Sequence, residues 1–113
     1  MGLAMFQASM TFDLSEDVNA LRDIVHRFAQ DVIKPQAAKI DQHDCFPPQL
    51  WKQMGDLGIL GVKVEEDYSG AALGYSAHTV AVEEVARASA SVSLSYGAHS
   101  KLCLSQICLN GTP

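Results

Sequence analysis

Glu83-Glu84-Val85-Ala86-Arg87-Ala88-Ser89-Ala90-Ser91-Val92-Ser93-Leu94-Ser95-Tyr96-Gly97-Ala98-His99-Ser100 is the stretch whose reading decides the fold. Within it Ser89, Ser91, Ser93 and Ser95 alternate strictly with small and apolar residues. A period of two describes a half-buried strand. Leu94, Ala98 and Leu102, however, fall at i, i+4 and i+8, and apolar residues continue through Leu104 and Ile107 to Leu109. That longer pattern favours a helix apolar almost all round, and such a helix is a buried one. Asn110-Gly111-Thr112-Pro113 then reads as a stop.

Upstream, Ser76 is placed to cap a helix that keeps Val80, Val82, Val85 and Ala86 inside. Before it, Glu65 to Gly74 reads as a loop and Ile59 to Val64 as a short apolar run that could be extended. Leu50, Trp51, Met54 and Leu57 mark the inner face of a shorter helix, entered through Pro47 or Pro48 and stopped by Gly58. His43 to Pro48 is a loop. Ser15 caps the first helix, with Glu16 and Asp17 in its first turn. Its stripe is Val18, Leu21, Val25, Phe28 and Val32. Pro35 ends that helix, or kinks it so that it resumes through Ala37 to Ile40. The expectation is an all-α chain of about four helices with almost no strand. Its last helix lacks a polar face and wants a partner beyond the other three.

Bulk numbers exclude several classes. A chain of 113 residues is one domain or part of one. With 48% hydrophobic and 19% charged residues it is not disordered. Eight scattered Lys and Arg within a net charge of −5 give no stripe for nucleic acid. No apolar run reaches the length of a membrane span. Residues 1–11 read as a flexible, leader-like segment. Met1 to Met10 hold neither Arg nor Lys, unlike a signal peptide or a presequence. A cytoplasmic protein is expected. Cys45, Cys103 and Cys108 are expected to be reduced and mostly buried thiols.

Chemical motifs are sparse. Glu83 and Glu84 are adjacent, so on a helix they do not face each other as an acid/base couple. Their spacing to Arg87 suits a surface ion pair. His99 and Cys103 share a helix face, but a structural zinc wants four ligands, and His26, His43 and His78 are isolated. An apolar setting also argues against Cys103 as a nucleophile. Gly70-Ala71-Ala72-Leu73-Gly74 lacks the strand and the Lys-Ser/Thr ending of a phosphate loop. Trp51 and Phe28 are core residues at helical spacing. Packing alone explains Leu94, Ala98 and Leu102, yet a small residue between two leucines leaves a shallow concavity for an aliphatic ligand.

In order along the chain, several segments resemble the N-terminal helical domain of acyl-CoA dehydrogenases. They are Leu21-Arg22-Asp23 through Gln30, Phe46-Pro47 with Leu50-Trp51, Leu57-Gly58-Ile59-Leu60-Gly61-Val62, and Glu83 to Arg87. Leu94-Ser95-Tyr96-Gly97-Ala98-His99-Ser100 is similar to the isovaleryl-CoA branch in particular. Departures fall in the loop: Glu65 stands where the family usually has Pro, and Ser69 and Ala72 where it has Gly.

The resemblance implies that residues 12–113 are a truncated domain of this kind, lacking the family's middle β-domain and C-terminal bundle. It implies FAD held mainly by those other domains, and an acyl-CoA substrate such as isovaleryl-CoA, in leucine breakdown. A homotetramer and electron-transfer flavoprotein as electron acceptor follow in the same way, as does the mitochondrial matrix for a eukaryotic member. Leu94, Ala98 and Leu102 become substrate-binding residues, at the distal end of the acyl cavity. No catalytic residue or metal ligand falls in this chain, and neither Glu83 nor Glu84 is the family's base. The alternatives are a free-standing helical interaction module, or a relative with another chain preference.

Overall fold

A computed structural model describes residues 14–113. The expected segment 1–11 and the start of the expected domain at residue 12 lie outside the described residues. Helices account for all the regular structure of the described part. They are α1 (Glu16–Phe28), a π turn (Ala29–Ile33), a 3₁₀ turn (Lys34–Gln36), α2 (Ala37–His43), α3 (Gln49–Leu57), a 3₁₀ turn (Glu66–Tyr68), α4 (Gly74–Ala88), α5 (Ala90–Gly97), a π turn (Ala98–Cys103) and α6 (Leu104–Asn110). Four rods result, because α1 runs on into α2 and α5 into α6.

Ser15 caps α1 as expected, its Oγ accepting the Val18 N–H at 3.4 Å. Pro35 kinks the rod without ending it. A proline has no N–H for the carbonyl four residues back, and its ring presses on that carbonyl. The turn widens instead: the Lys34 N–H reaches Ala29 O, five residues back. The rod then resumes through His43 and stops where Asp44 turns left-handed at φ 50°. Val18, Val25, Ala29 and Ile33 form its buried stripe, against α4.

Pro48 is the N-cap of α3 rather than part of its first turn, while Gly58 closes the helix at φ 83°. Leu50 and Met54 are fully buried, but Leu57 is 37% exposed because its terminal turn is left uncovered by the described residues. Ile59 to Val64 is not extended. It is a series of turns, with Val64 N–H donating to Gly61 O. The run is apolar because Ile59 and Val62 plug the core.

The following loop folds back on these turns, with Ala71 N–H donating to Gly61 O, Ala72 N–H to Val64 O and Leu73 N–H to Val62 O. Gly70 is fixed by space: a Cβ there would sit 2.0 Å from Val64 O. Ser69 and Ala72, the two departures from glycine, both adopt left-handed backbone, at φ 65° and φ 51°. Such a conformation costs an L-residue about 1–2 kcal/mol, partly offset by the smaller entropy loss relative to glycine. Ala72→Gly is therefore expected to raise stability by about 0.5–1 kcal/mol, read as a higher urea midpoint. Glu65 is harmless, since its φ of −61° is one a proline would also hold.

Leu73 positions the start of α4 at Gly74, two residues before Ser76, so Ser76 is an exposed residue inside the helix and not its cap. Val80 and Val85 are buried as expected and Val82 partly so; Ala86 is exposed. Ser89 ends α4 in an extended conformation and caps α5, its Oγ accepting the Val92 N–H at 3.3 Å. The serine alternation thus resolves by helical contacts. Ser93 turns inward and donates to Val82 O at 2.9 Å, whereas Ser91 faces out.

The expected pair with Arg87 forms at Glu84, but Glu84 is not on the surface. It is 3% exposed, accepts His26 Nδ1 at 2.8 Å, and lies 3.6 Å from Arg87 Nη1. The contact ties α4 to α1. Its two ends differ: the His26 side chain is 50% exposed and that of Glu84 4%. Removing His26 leaves a buried carboxylate with only the longer Arg87 contact, whereas removing Glu84 leaves an imidazole that water can solvate. His26→Ala is expected to cost about 2–3 kcal/mol and Glu84→Gln about 1–2 kcal/mol, since an unsatisfied buried charge is the expensive case. Urea titration of both variants gives the order.

The last rod is not buried all round. Val92, Ser93, Tyr96 and Ser100 turn inward, while Leu94, Leu102, Ile107 and Leu109 are 60–77% exposed. The apolar run serves two faces, only one of which the described residues cover. Cys103 and Cys108 lie on the last rod and Cys45 in a loop; all three thiols are free, as expected, but exposed rather than buried. None of the described helices is long and apolar enough to cross a membrane.

Candidate functional site

Leu94, Ala98 and Leu102 come together along one side of an apolar trough of about 530 Å³ between α4 and the last rod. Val82 and Ala86 face them, His78 and Ser93 contribute buried polar groups, and Lys101 is an exposed cation in the lining. The spacing alone does not produce this alignment. Four residues of an α-helix advance about 400°, so eight would carry Leu102 about 80° round from Leu94. The π turn Ala98–Cys103 takes more residues per turn. Each of its residues turns through a smaller angle, which offsets part of that drift, and all three residues line the trough.

Burial fixes the trough's polar groups. His78 is 3% exposed, and its Nε2 lies 2.6 Å from Ser100 Oγ. Burial, then the nearby Lys63 and Lys101, pushes the imidazole below its usual value of 6.5, so the ring is neutral at pH 7. A lowered pKa stabilises the fold above the unfolded value and loses that contribution as pH falls through the folded one. His78→Gln should therefore show a larger stability deficit at pH 7 than at pH 5, the difference narrowing by at most about 1.4 kcal/mol per pH unit. Denaturation midpoints at the two pH values test it. His78 was not legible as part of the site, although its spacing of four from Val82 puts both on one helix face.

The other motifs gather nothing reactive. His99 packs its ring on Trp51 at 5.2 Å, and Trp51 stacks on Phe46 at 4.9 Å. Cys103 is exposed, and the described residues contain no cluster of three metal-ligating side chains. Gly70 to Gly74 is the turn loop described above. The described lining of the trough holds no carboxylate, and its apolar wall can take an aliphatic group.

Residues 15–113 match the family model described as acyl-CoA dehydrogenase, N-terminal domain. This chain belongs to the acyl-CoA dehydrogenase family. It is 47% identical over 111 residues to the mitochondrial isovaleryl-CoA dehydrogenase of Solanum tuberosum, covering 96% of this chain and 26% of the relative. To the mitochondrial 2-methylacyl-CoA dehydrogenase of the same plant it is 42% identical over 112 residues, with 97% and 27% covered. Among solved structures, the butyryl-CoA dehydrogenase of Megasphaera elsdenii superposes with a TM-score of 0.81 at 27% identity, covering 91% of this chain and 28% of that one. The chain thus spans about a quarter of the length of these acyl-CoA dehydrogenases. The all-α reading and the four helices agree with an N-terminal domain of the acyl-CoA dehydrogenase fold.

Proposed function

We propose that this chain is the N-terminal part of a flavin-dependent dehydrogenase that oxidises a short branched acyl-CoA, isovaleryl-CoA, to the 2-enoyl-CoA in leucine breakdown. The observation that carries the reading is the trough itself: Leu94, Ala98 and Leu102 aligned on one wall, apolar throughout except for the neutral His78, the hydroxyls and Lys101. Identity to isovaleryl- and 2-methylacyl-CoA dehydrogenases supports a short branched chain. In this reading the two leucines close the distal end around the branched methyl groups, and Ala98 leaves the room between them.

Bound FAD supplies the hydride acceptor in this chemistry. The trough does not fit FAD: Lys101 is the one cation among its described lining residues, and Lys63, near His78, is engaged by Ser105 and the Tyr75 ring rather than facing a diphosphate. Flavin and the glutamate base are assigned to domains outside this chain, which alone should be inert. A homotetramer, electron-transfer flavoprotein as acceptor, and a location in the matrix of a mitochondrion or the cytoplasm of a bacterium belong to the same proposal.

The test is the full natural gene product. It should be several times this chain's length, and isovaleryl-CoA should bleach its flavin. A product ending at Pro113 would shift the reading to a helical interaction module. The exposed Leu102, Ile107 and Leu109 should make the isolated chain oligomerise or aggregate if it is a fragment, whereas a soluble monomer would favour the module.

A further inference from the structure

A short chain of buried polar contacts runs inward from His78 in the trough lining. Ser100 Oγ is 2.8 Å from Tyr96 O and 2.6 Å from His78 Nε2. A hydroxyl has one proton, and a carbonyl has none to give. The Ser100 proton therefore points to Tyr96 O, and His78 Nε2–H must donate to Ser100. The tautomer is thus fixed, with Nδ1 left as an acceptor. Both residues are at least nine-tenths buried, at 3% and 4% exposure. Tyr96 is anchored in turn, its hydroxyl donating to Ile59 O at 2.7 Å.

Ser100 sits inside the π turn Ala98–Cys103 and draws on the carbonyl four residues back. Serine bonds of that kind compete with the backbone ladder and bend helices. π turns are seldom idle, being frequent at functional sites. Leu102 lies within this turn, and Leu94 in the α-helix before it.

We propose that His78 and Ser100 are positioning residues for acyl-chain selection, holding open the π turn that brings Leu102 into line with Leu94 and Ala98. The proposal rests on the acyl-trough reading above. Neither residue need touch the reacting carbons. Their effect passes through the backbone to a leucine on the trough wall.

The experiment combines crystallography and kinetics on the full-length gene product. In Ser100→Ala the π turn should contract to an α turn, with Leu102 rotating away from Leu94. The ratio of kcat/KM for isovaleryl-CoA over hexanoyl-CoA should change about tenfold, the scale of a misplaced methylene. His78→Leu should do the same. His78→Gln keeps a donor near the Nε2 position and should restore the ratio to within about twofold. If Ser100→Ala does not fold, the two His78 variants carry the test. A π turn that persists in Ser100→Ala with Leu102 in place overturns the proposal. So do equal ratios in His78→Leu and His78→Gln, which would indicate bulk packing alone. Should the turn contract while the ratio stays fixed, and Leu94→Ala and Leu102→Ala also leave it fixed, the acyl reading fails, and with it the selectivity role. If the leucine variants move the ratio and the His78 and Ser100 variants do not, only the positioning role is lost.

Discussion

Tyr96→Ala is expected to lower the unfolding free energy by about 3–5 kcal/mol, the range for emptying a buried aromatic site. Tyr96 is fully buried, among the largest side chains that are. Its ring stacks on His78 at 5.7 Å, and its hydroxyl donates to Ile59 O at 2.7 Å. One residue therefore joins the last rod, α4 and the turn after α3. Tyr96→Phe keeps the ring and strands only the Ile59 carbonyl, so about 1–2 kcal/mol should be lost. Urea titrations of the two variants separate ring from hydroxyl; equal losses would place the whole effect in the hydrogen bond. There is an alkaline corollary. Burial pushes the phenol from 10.0 up to about 12. A raised pKa gives stability that is present below the unfolded value and lost as pH rises through the folded one, so Tyr96 weakens the fold between about pH 10 and 12. Tyr96→Phe should flatten that part of the alkaline curve.

The helices were legible where one local signal sufficed. Ser15 with Glu16 and Asp17, the stripe of Val18 and Val25, and Gly58 as a left-handed stop each depend on neighbours within a turn or two. Misreadings came where a distant partner decided. Glu84 looked like a surface residue until His26, 58 positions away, took its carboxylate into the interior. Ser76 had the right chemistry for a cap, but the bond from Leu73 N–H to Val62 O started the helix earlier. The apolar run from Leu102 to Leu109 read as buried because composition reports hydrophobicity, not whether a covering surface lies within the same stretch of chain. Cys103 and Cys108 were misplaced by the same inference.

The trough shows the limit most clearly. Leu94, Ala98 and Leu102 were selected from an i, i+4, i+8 spacing, yet a straight α-helix would have let that line drift. The π turn that corrects it depends on where Ser100 and His78 meet, 22 residues apart in sequence. A four-residue spacing can suggest a wall; only the tertiary contact shows it to be straight.

On the acyl-trough reading proposed above, Leu94→Ala and Leu102→Ala in the full-length gene product should shift preference toward longer or bulkier acyl groups. Both leucines are well exposed, at 77% and 63%, so truncating them should cost little stability and mainly change what fits. One methylene in such a pocket is worth about 1–3 kcal/mol, or roughly 10–200-fold in relative kcat/KM. Each truncation opens space for more than one methylene, so hexanoyl-CoA should gain on isovaleryl-CoA by at least about tenfold. Part of the shift should come from a poorer reaction with the branched chain, which loses the contacts that hold its methyl groups. Ala98→Leu supplies the opposite arm. Filling the gap between the two leucines should exclude longer chains first and leave butyryl-CoA least affected. Kinetics across straight and branched acyl-CoA substrates read all three variants together. An unchanged order of preference in every variant would remove the trough from substrate selection and leave its leucines as an interface for another part of the protein.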